Sequence, residues 1–341
     1  MSTQSIPTIS LAQSGTHQLS EAILDACTGP GFFYLTDIPI ESKTIQSAWR
    51  ASEQLFLDNS EVGLAAKEES RDRRGNTGYT AVREEKLAAS QSDGLVTLSS
   101  GDLKESFYVA RLSTSNSSNN QVLPPILEQH RDNLNVFFED CKKVCDIVIT
   151  AMAEALGLAS DFFTLHHHAI DDRLRLIHYP PLPFHADLSK DGTDIRAGSH
   201  SDYGTITLLF QRGVSGLQVL AKGTIDDWID IPPKEGAIVV NVGDALEFWT
   251  SAVFRSTQHR VVMPRSKEEA VSRFSIAYFS QPDPDALLEP LTDIKTTKAI
   301  PTPSRADYEE VLRRKGIDIN IHHLTGGQHL QQRLKSTYVG S

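Results

Sequence analysis

Cysteine is scarce: the 341 residues hold three, Cys27, Cys141 and Cys145. An odd and sparse count gives no disulfide framework and suits a reducing compartment. Cys141 and Cys145 stand four apart in a helical pattern and so share a face. With no second Cys/His pair beside them, they read as small core residues and not as half of a metal site. Positive charge is also short, since 33 Lys and Arg against 44 Asp and Glu leave a net charge of −11. That balance disfavours a surface for nucleic acid or for an anionic membrane. No apolar run approaches the roughly 20 residues that span a bilayer. The N-terminal "MSTQSIPTIS" lacks the basic-then-apolar order of a secretory leader. The expectation is a cytoplasmic protein, a monomer or weak homo-oligomer, that meets a small molecule and neither nucleic acid nor membrane.

What is present divides by texture. "IPTISLA" (6–12) reads as a short strand, and a helix follows from about Thr16 with Leu19, Ile23, Ala26 and Cys27 on one face. Gly29, Pro30 and Gly31 stop it before a strand-like "FFYL" (32–35). Ile45, Trp49, Leu55 and Phe56 suggest a second helix. The charge run "KEESRDRRGN" (67–76) reads as solvated surface, "ESFYVA" (105–110) as a strand, and "STSNSSNN" (113–120) as a loop that cannot order itself by packing. Leu134, Phe137, Phe138, Cys141, Val144, Cys145, Val148 and Met152 keep helical spacing, which predicts a long helix over about 126–157, closed by Gly157.

From residue 172 to about 283 the chain turns β-rich. "LRLIHY", "GTITLLF", "GLQVLA", "WIDI", "GAIVVNV", "ALEFW", "HRVVM" and "RFSIAYF" are separated by Pro, Gly and Asp. Short runs at this spacing point to an antiparallel sandwich or barrel and not to βαβ units. The tail shows one more helix, Ser304 to Lys315, stopped by Gly316.

The chemistry starts at "AGSHSDYGTITLLFQRG" (197–213). In an extended strand His200 and Asp202 project to one face. Alone, such a triplet proves little. "STQHRVVMP" (256–264) then sets His259 at the head of another strand. Two histidines and one carboxylate on one side of a metal leave the other positions open, as non-haem Fe(II) oxygenases require. In "RFSIAYF", Arg273 and Ser275 again share a strand face. A guanidinium grips a carboxylate bidentately, and an inward Arg among apolar side chains is costly without an anionic partner. A dicarboxylic 2-oxoacid satisfies the metal and the Arg in one molecule.

The segment from His200 to Pro282 resembles the catalytic half of the isopenicillin N synthase-like 2-oxoglutarate/Fe(II) dioxygenases. It does so through "HSDYGTITLLFQ", "GLQVL", "GAIVVNVGDALEFWT", "RSTQHRVVMP" and "RFSIAYFSQP", in that order. "IPTISL", "GFFYLTDIPI", "TGYT" and "DLKESFYV" resemble the family's leading region. The resemblance implies a mainly-β fold with flanking helices: a mixed α/β region over 1–171, a double-stranded β-helix (jelly-roll) core over 172–283 and a helical tail over 284–341, forming one compact unit. It implies Fe(II) held by His200, Asp202 and His259, and 2-oxoglutarate held by Arg273 and Ser275 with Tyr179 of "RLIHYPP" in contact. Ile177 stands where many relatives carry Asn. Oxidation of a small-molecule metabolite in a biosynthetic pathway would follow, with O₂ consumed and succinate and CO₂ released. Hydroxylation is the first expectation, and desaturation or ring closure are open to the same chemistry. Retention of Asp202 disfavours a halogenase. Two alternatives stay open: a 2-oxoglutarate-independent oxidase of the isopenicillin N synthase or aminocyclopropane carboxylate oxidase type, and an inactive jelly-roll binding protein.

The remaining candidates read more plainly. "HHH" (166–168) suits a surface turn, because consecutive residues cannot all face one ion. His178 and His185 lie near the expected mouth. Asn241, Gly243 and Asp244 suggest a tight turn between strands. Tyr79, Arg83, Lys104 and Phe107 belong to regions that border the substrate pocket in relatives. The tail from Ile317 is positioned to act as a lid.

Overall fold

In the computed structural model, described over residues 5–12, 16–71, 77–85, 101–112, 121–182, 195–292, 294–296, 298–300, 304–317 and 323–338, two sheets enclose one cavity. The larger sheet holds β1 (Thr8–Ser10), β2 (Phe32–Thr36), β3 (Gly78–Thr80), β4 (Glu105–Ala110), β5 (Arg173–Tyr179), β7 (Ile206–Gln211), β10 (Ala237–Val242) and β12 (Arg273–Ser280). Its strands run in the order β1-β2-β10-β7-β12-β5-β4-β3. The smaller sheet holds β6 (Ile195–His200), β8 (Leu217–Leu220), β9 (Trp228–Asp230) and β11 (His259–Val262), in the order β6-β11-β8-β9. Together they form the jelly roll, and β2 and β4 from the N-terminal part extend its larger sheet through β10 and β5.

The period-2 alternation of the central strands sorts their side chains. Along β12, Phe274, Ile276 and Tyr278 join the main hydrophobic core, while Arg273, Ser275, Ala277 and Phe279 line the cavity. Along β5, Leu174 and Leu176 face the core, while Arg173, Arg175, Ile177 and Tyr179 line the cavity. One face of the sheet is therefore apolar and the other is equipped for chemistry. The apolar face is covered by α1 (Thr16–Thr28), α2 (Ser42–Leu57) and α5 (Arg131–Ala155). Phe137 meets Phe210 edge-on at 5.0 Å, and Phe138 meets Tyr278 at 4.9 Å. The single helix expected over 126–157 is two: a turn, α4 (Pro125–Glu128), and then α5. Gly157 ends the helix with φ +69°, where a Cβ would lie 2.2 Å from the Lys295 carbonyl oxygen, so only glycine fits.

Several expectations need correction. Lys67, at the end of α3 (Glu61–Glu69), is not solvated: it is 3% exposed, with Nζ 3.9 Å from Glu105 Oε2. Tertiary pairing overrides what its charged neighbours suggest. "ALEFW" is no strand but part of α6 (Asp244–Trp249), every residue of which is buried. A short run that is apolar on all sides carries no period to tell helix from strand. "HHH" is not all surface either. His167 is 2% exposed, with Nδ1 2.6 Å from the Phe163 carbonyl and Nε2 2.7 Å from Thr205 Oγ1. Burial pushes its pKa down to about 4, keeping it neutral. "STSNSSNN" and His185 lie outside the described residues. The helix expected over 304–315 is present as α7 (Arg305–Arg314), and a further helix, α8 (Gly326–Tyr338), follows it.

The joint between α5 and the sheet carries the stability of the platform beneath the site. Phe138→Ala should cost about 3–5 kcal/mol in urea unfolding, because the cavity it leaves cannot collapse against a strand. A loss below about 1 kcal/mol would contradict this packing.

Candidate metal and co-substrate site

The two histidines are brought together by strand pairing. β6 and β11 run antiparallel with His200 directly opposite His259, and their rings lie 4.2 Å apart between centroids. His200 is the last residue of β6, so Asp202 sits just past the strand end and not on it. The turn nevertheless returns its carboxylate to the same point. Asp202 Oδ1 lies 3.9 Å from His200 Nε2 and 3.7 Å from His259 Nε2. Ligand atoms from the three lie within 4.8 Å of one another, and among the described residues this is the group of His, Cys, Asp and Glu that can hold a metal ion.

Each ligand is aimed by a neighbour. Asp202 Oδ2 accepts from Thr207 Oγ1 at 2.6 Å and from Asn241 Nδ2 at 2.8 Å, which leaves Oδ1 for the two imidazoles. His200 Nδ1 lies 2.8 Å from the Gly198 carbonyl oxygen and donates to it, which turns the Nε2 lone pair inward. Burial and the adjacent His259 hold His200 neutral, well below the usual imidazole range. Burial alone would raise the Asp202 carboxyl, but His259, His200 and the two hydrogen bonds outweigh it and hold the group ionised. A neutral His200 and an ionised Asp202 are states that suit binding of a divalent cation. Asn241 was expected in a turn. It is instead a strand residue of β10 that points into the cavity.

The second cluster lies in the same cavity. Arg273 is 2% exposed and Ser275 is 2% exposed, and both face inward from β12 as their spacing requires. Arg273 pairs in register with Tyr179 of β5, whose ring lies 4.9 Å from the guanidinium carbon. One Nη of Arg273 donates to Gln211 Oε1 at 2.9 Å, while Nε and Nη1 are buried with no hydrogen-bond partner. A buried guanidinium with two idle donors is costly unless an anion completes it. Desolvation accordingly lowers its pKa. A carboxylate can take up either idle donor together with the second N–H of Nη2, so the residues present suit 2-oxoglutarate.

A third part of the cavity was largely missed. Glu85, Lys104, Tyr108, Arg173, Arg175, Tyr203, Phe279, Gln281, Leu330 and Leu334 also line it. Lys104 Nζ lies 2.8 Å from Glu85 Oε2 and also pairs with Asp102, while Arg175 bonds Glu85 and donates to Ser106 Oγ at 2.9 Å. Burial would raise the Glu85 carboxyl, yet Arg175 and Lys104 hold it far below the usual range. The floor is therefore ionic but balanced. Gly198 N–H donates to Asp102 Oδ1 at 3.1 Å, which ties this floor to the strand that carries His200. Arg173 and Arg175 were legible from the alternation of β5 around Tyr179. Glu85 and Asp102 carry no local signal.

Other candidates fall elsewhere. His178 is buried on the opposite face of β5, stacked between Phe56 at 5.6 Å and Phe274 at 4.5 Å, with Nδ1 2.8 Å from Glu105 Oε1. Tyr79 donates to Glu105 Oε2 at 2.6 Å, and Phe107 belongs to the main core. Arg83 sits in a turn with φ +70°. Cys141 and Cys145 are free and buried, with burial pushing both thiols up, far from any nucleophilic role.

Known proteins are similar to this chain in sequence and fold. A family model described as the 2OG-Fe(II) oxygenase superfamily matches residues 170–282, and one described as the N-terminal region of non-haem dioxygenases in morphine synthesis matches residues 6–127. A UPF0676 protein of Schizosaccharomyces pombe is 33% identical over 90% of this chain and 91% of its own length. The proline hydroxylase buaE of Petromyces alliaceus is 30% identical over 90% of both chains. The crystal structure of a full-length Neurospora crassa protein in complex with alpha-KG and thymine superposes with a TM-score of 0.76, at 27% identity over 98% of both chains. No described helix is long and apolar enough to cross a membrane. The chain belongs to the 2-oxoglutarate/Fe(II) oxygenase superfamily and is a 2-oxoglutarate-dependent dioxygenase.

Proposed function

We propose that His200, Asp202 and His259 hold the Fe(II), that Arg273, Ser275 and Tyr179 hold the distal carboxylate of 2-oxoglutarate, and that the enzyme hydroxylates a small neutral metabolite. The observation that carries this reading is the pairing, within one cavity, of an open three-ligand cluster with a buried Arg that has two idle donors. When bound, Fe(II) with 2-oxoglutarate and O₂ supplies the oxidising power, with succinate and CO₂ as co-products.

The protein's own work is positioning. Thr207 and Asn241 fix the Asp202 carboxylate, and Gly198 fixes the His200 ring. Arg273 and Ser275 hold one end of the co-substrate at a set distance from the triad, which converts an encounter into a fixed geometry. Leu209, Leu217, Val261 and Ala277 line the cavity among these polar groups and keep its walls dry.

The remaining lobe supports a class of substrate. Its floor sets Lys104 and Arg175 against Glu85 and Asp102, and Arg173 lies 3.8 Å from Asp171 Oδ1, so its charges are matched, which disfavours a strongly anionic molecule. Tyr108 and Phe279 stand 6.4 Å apart between ring centroids, and Tyr203 adds a third ring. Aromatic walls above a hydrogen-bonding floor suit a compact, planar, polar ring. Thymine in the Neurospora crassa structure is a molecule of that kind. A panel of nucleobases, with L-proline as the contrasting class, should give succinate release above background with a planar ring. Release with L-proline alone would overturn the substrate assignment.

His259→Ala should abolish the visible band formed anaerobically by Fe(II) and 2-oxoglutarate while leaving far-UV dichroism intact, and a retained band would remove His259 from the ligand set. Arg273→Ala should raise the 2-oxoglutarate concentration for half-maximal turnover by about 100-fold, with little change for the substrate. Equal changes would give the Arg another role. Asn241→Ala should weaken Fe(II) affinity by about 10–100-fold, read by competition with a chelator, because Asp202 loses one of its two orienting donors.

A further inference from the structure

Among the described residues, a dense charge cluster outside the reaction's own groups lies between α6 and the C-terminal tail. Asp244 is 0% exposed and Glu247 2% exposed. Lys315, just past α7, contacts Asp244 and lies 2.6 Å from Glu247 Oε2. Arg333 of α8 is 2% exposed, with Nη2 3.0 Å from Asp244 Oδ2, and its Nη1 donates to the Lys315 carbonyl at 2.8 Å. Arg314 reaches Glu247 at 3.6 Å. Two buried carboxylates and two buried cations thus join the end of α7 and α8 to the barrel.

The node stands against the metal cluster's own turn. Asp244 N–H donates to the Asp202 carbonyl at 2.7 Å, and Ser201 Oγ donates to Asp244 Oδ2 at 3.1 Å. The Arg333 guanidinium lies 4.9 Å over the ring of Tyr203, the residue after Asp202. On a helix, positions 330, 333 and 334 share one face. The side chain that anchors α8 is therefore flanked by two that reach the cavity, Leu330 and Leu334.

We propose that α8 is the substrate-selecting wall of the active site, with Leu330 and Leu334 setting the size of molecule admitted and the Asp244–Lys315–Arg333 node seating the helix. The proposal rests on reading the cavity as the active site. Among the described residues the polar groups of the substrate lobe come from other elements, so the wall made by Leu330 and Leu334 recognises shape. An aliphatic wall discriminates by roughly 10–200-fold per methylene-sized mismatch. That filter works only if the wall is held rigidly, and buried charges that lose a partner are strongly penalised, which gives the helix one seated position.

Hydrogen exchange followed by mass spectrometry tests the seat without any substrate. Arg333→Gln should speed exchange across residues 326–338 by at least about tenfold while β6, β11 and β12 stay protected. The anaerobic Fe(II) and 2-oxoglutarate band should persist, and Arg333→Lys should restore part of the protection. Unchanged exchange, or loss of protection throughout the barrel, would overturn the seating. The leucines, which lie outside the node, test the wall separately. Leu330→Ala with Leu334→Ala should keep wild-type exchange and raise succinate release with thymidine relative to thymine by at least about tenfold, and an unchanged ratio would overturn the size filter. If the wild type forms no band with Fe(II) and 2-oxoglutarate, the reading of the cavity fails, whereas the exchange result still judges the seat.

Discussion

The register between two short strands governs the rest of this molecule. His200 and His259 face each other because β6 and β11 pair in that register at this end of the ladder, before it shifts at Val261 and Val262. A slip of one strand by one residue would put the two imidazoles on opposite faces of the sheet. β6 is poor in the β-branched and aromatic residues that stabilise strands, so its position is set by what it touches. Gly198 N–H is held by Asp102, and Leu103 N–H donates to the Arg196 carbonyl at 2.7 Å. The segment around residue 102 thus acts as a splint for the ligand strand, and it supplies Lys104 to the cavity as well.

A second constraint follows from the sheet's two faces. β5, β7 and β12 are buried on both sides, and one side must hold charged groups without collapsing onto the helices. Large rings on the outer face, packed against α5, anchor the strands at full interior density. The inner face can then carry Arg173, Arg175, Arg273 and Tyr179 in fixed positions. Where these charges have partners, as in the Glu85 cluster, they are settled in the folded chain. Arg273 has no carboxylate partner among the described residues, and its Nε and Nη1 lack a hydrogen-bond partner, which is what the proposed co-substrate carboxylate would supply.

Much of this was legible before the fold was seen, because the informative residues obey strand periodicity. Arg273 with Ser275, and the β5 side chains around Tyr179, sit at i, i+2 spacing inside real strands, so their common face could be read directly. His200 and Asp202 came together by a different route from the one their spacing suggested, since Asp202 lies beyond the strand and is returned by a turn. Asn, Gly and Asp in "NVGD" imitate a turn between strands, whereas Asn241 and Val242 still belong to β10 and Asp244 opens α6 after the N-cap Gly243. α6 was misread because an all-apolar run has no period. The roles of Glu85, Asp102, Asp244, Lys315 and Arg333 depend on contacts between segments distant in sequence, and no local pattern announces such contacts.

The most direct measurement is a crystal structure grown without oxygen in the presence of Mn(II) and 2-oxoglutarate. The expected density has the ion bonded to His200 Nε2, His259 Nε2 and Asp202 Oδ1 at about 2.0–2.2 Å. The far carboxylate of 2-oxoglutarate should take up one of the idle Arg273 donors, Nε or Nη1, together with Nη2. An ion bound elsewhere, or a co-substrate carboxylate seated on Arg175 with Arg273 still unpaired, would contradict the assignment of this cavity.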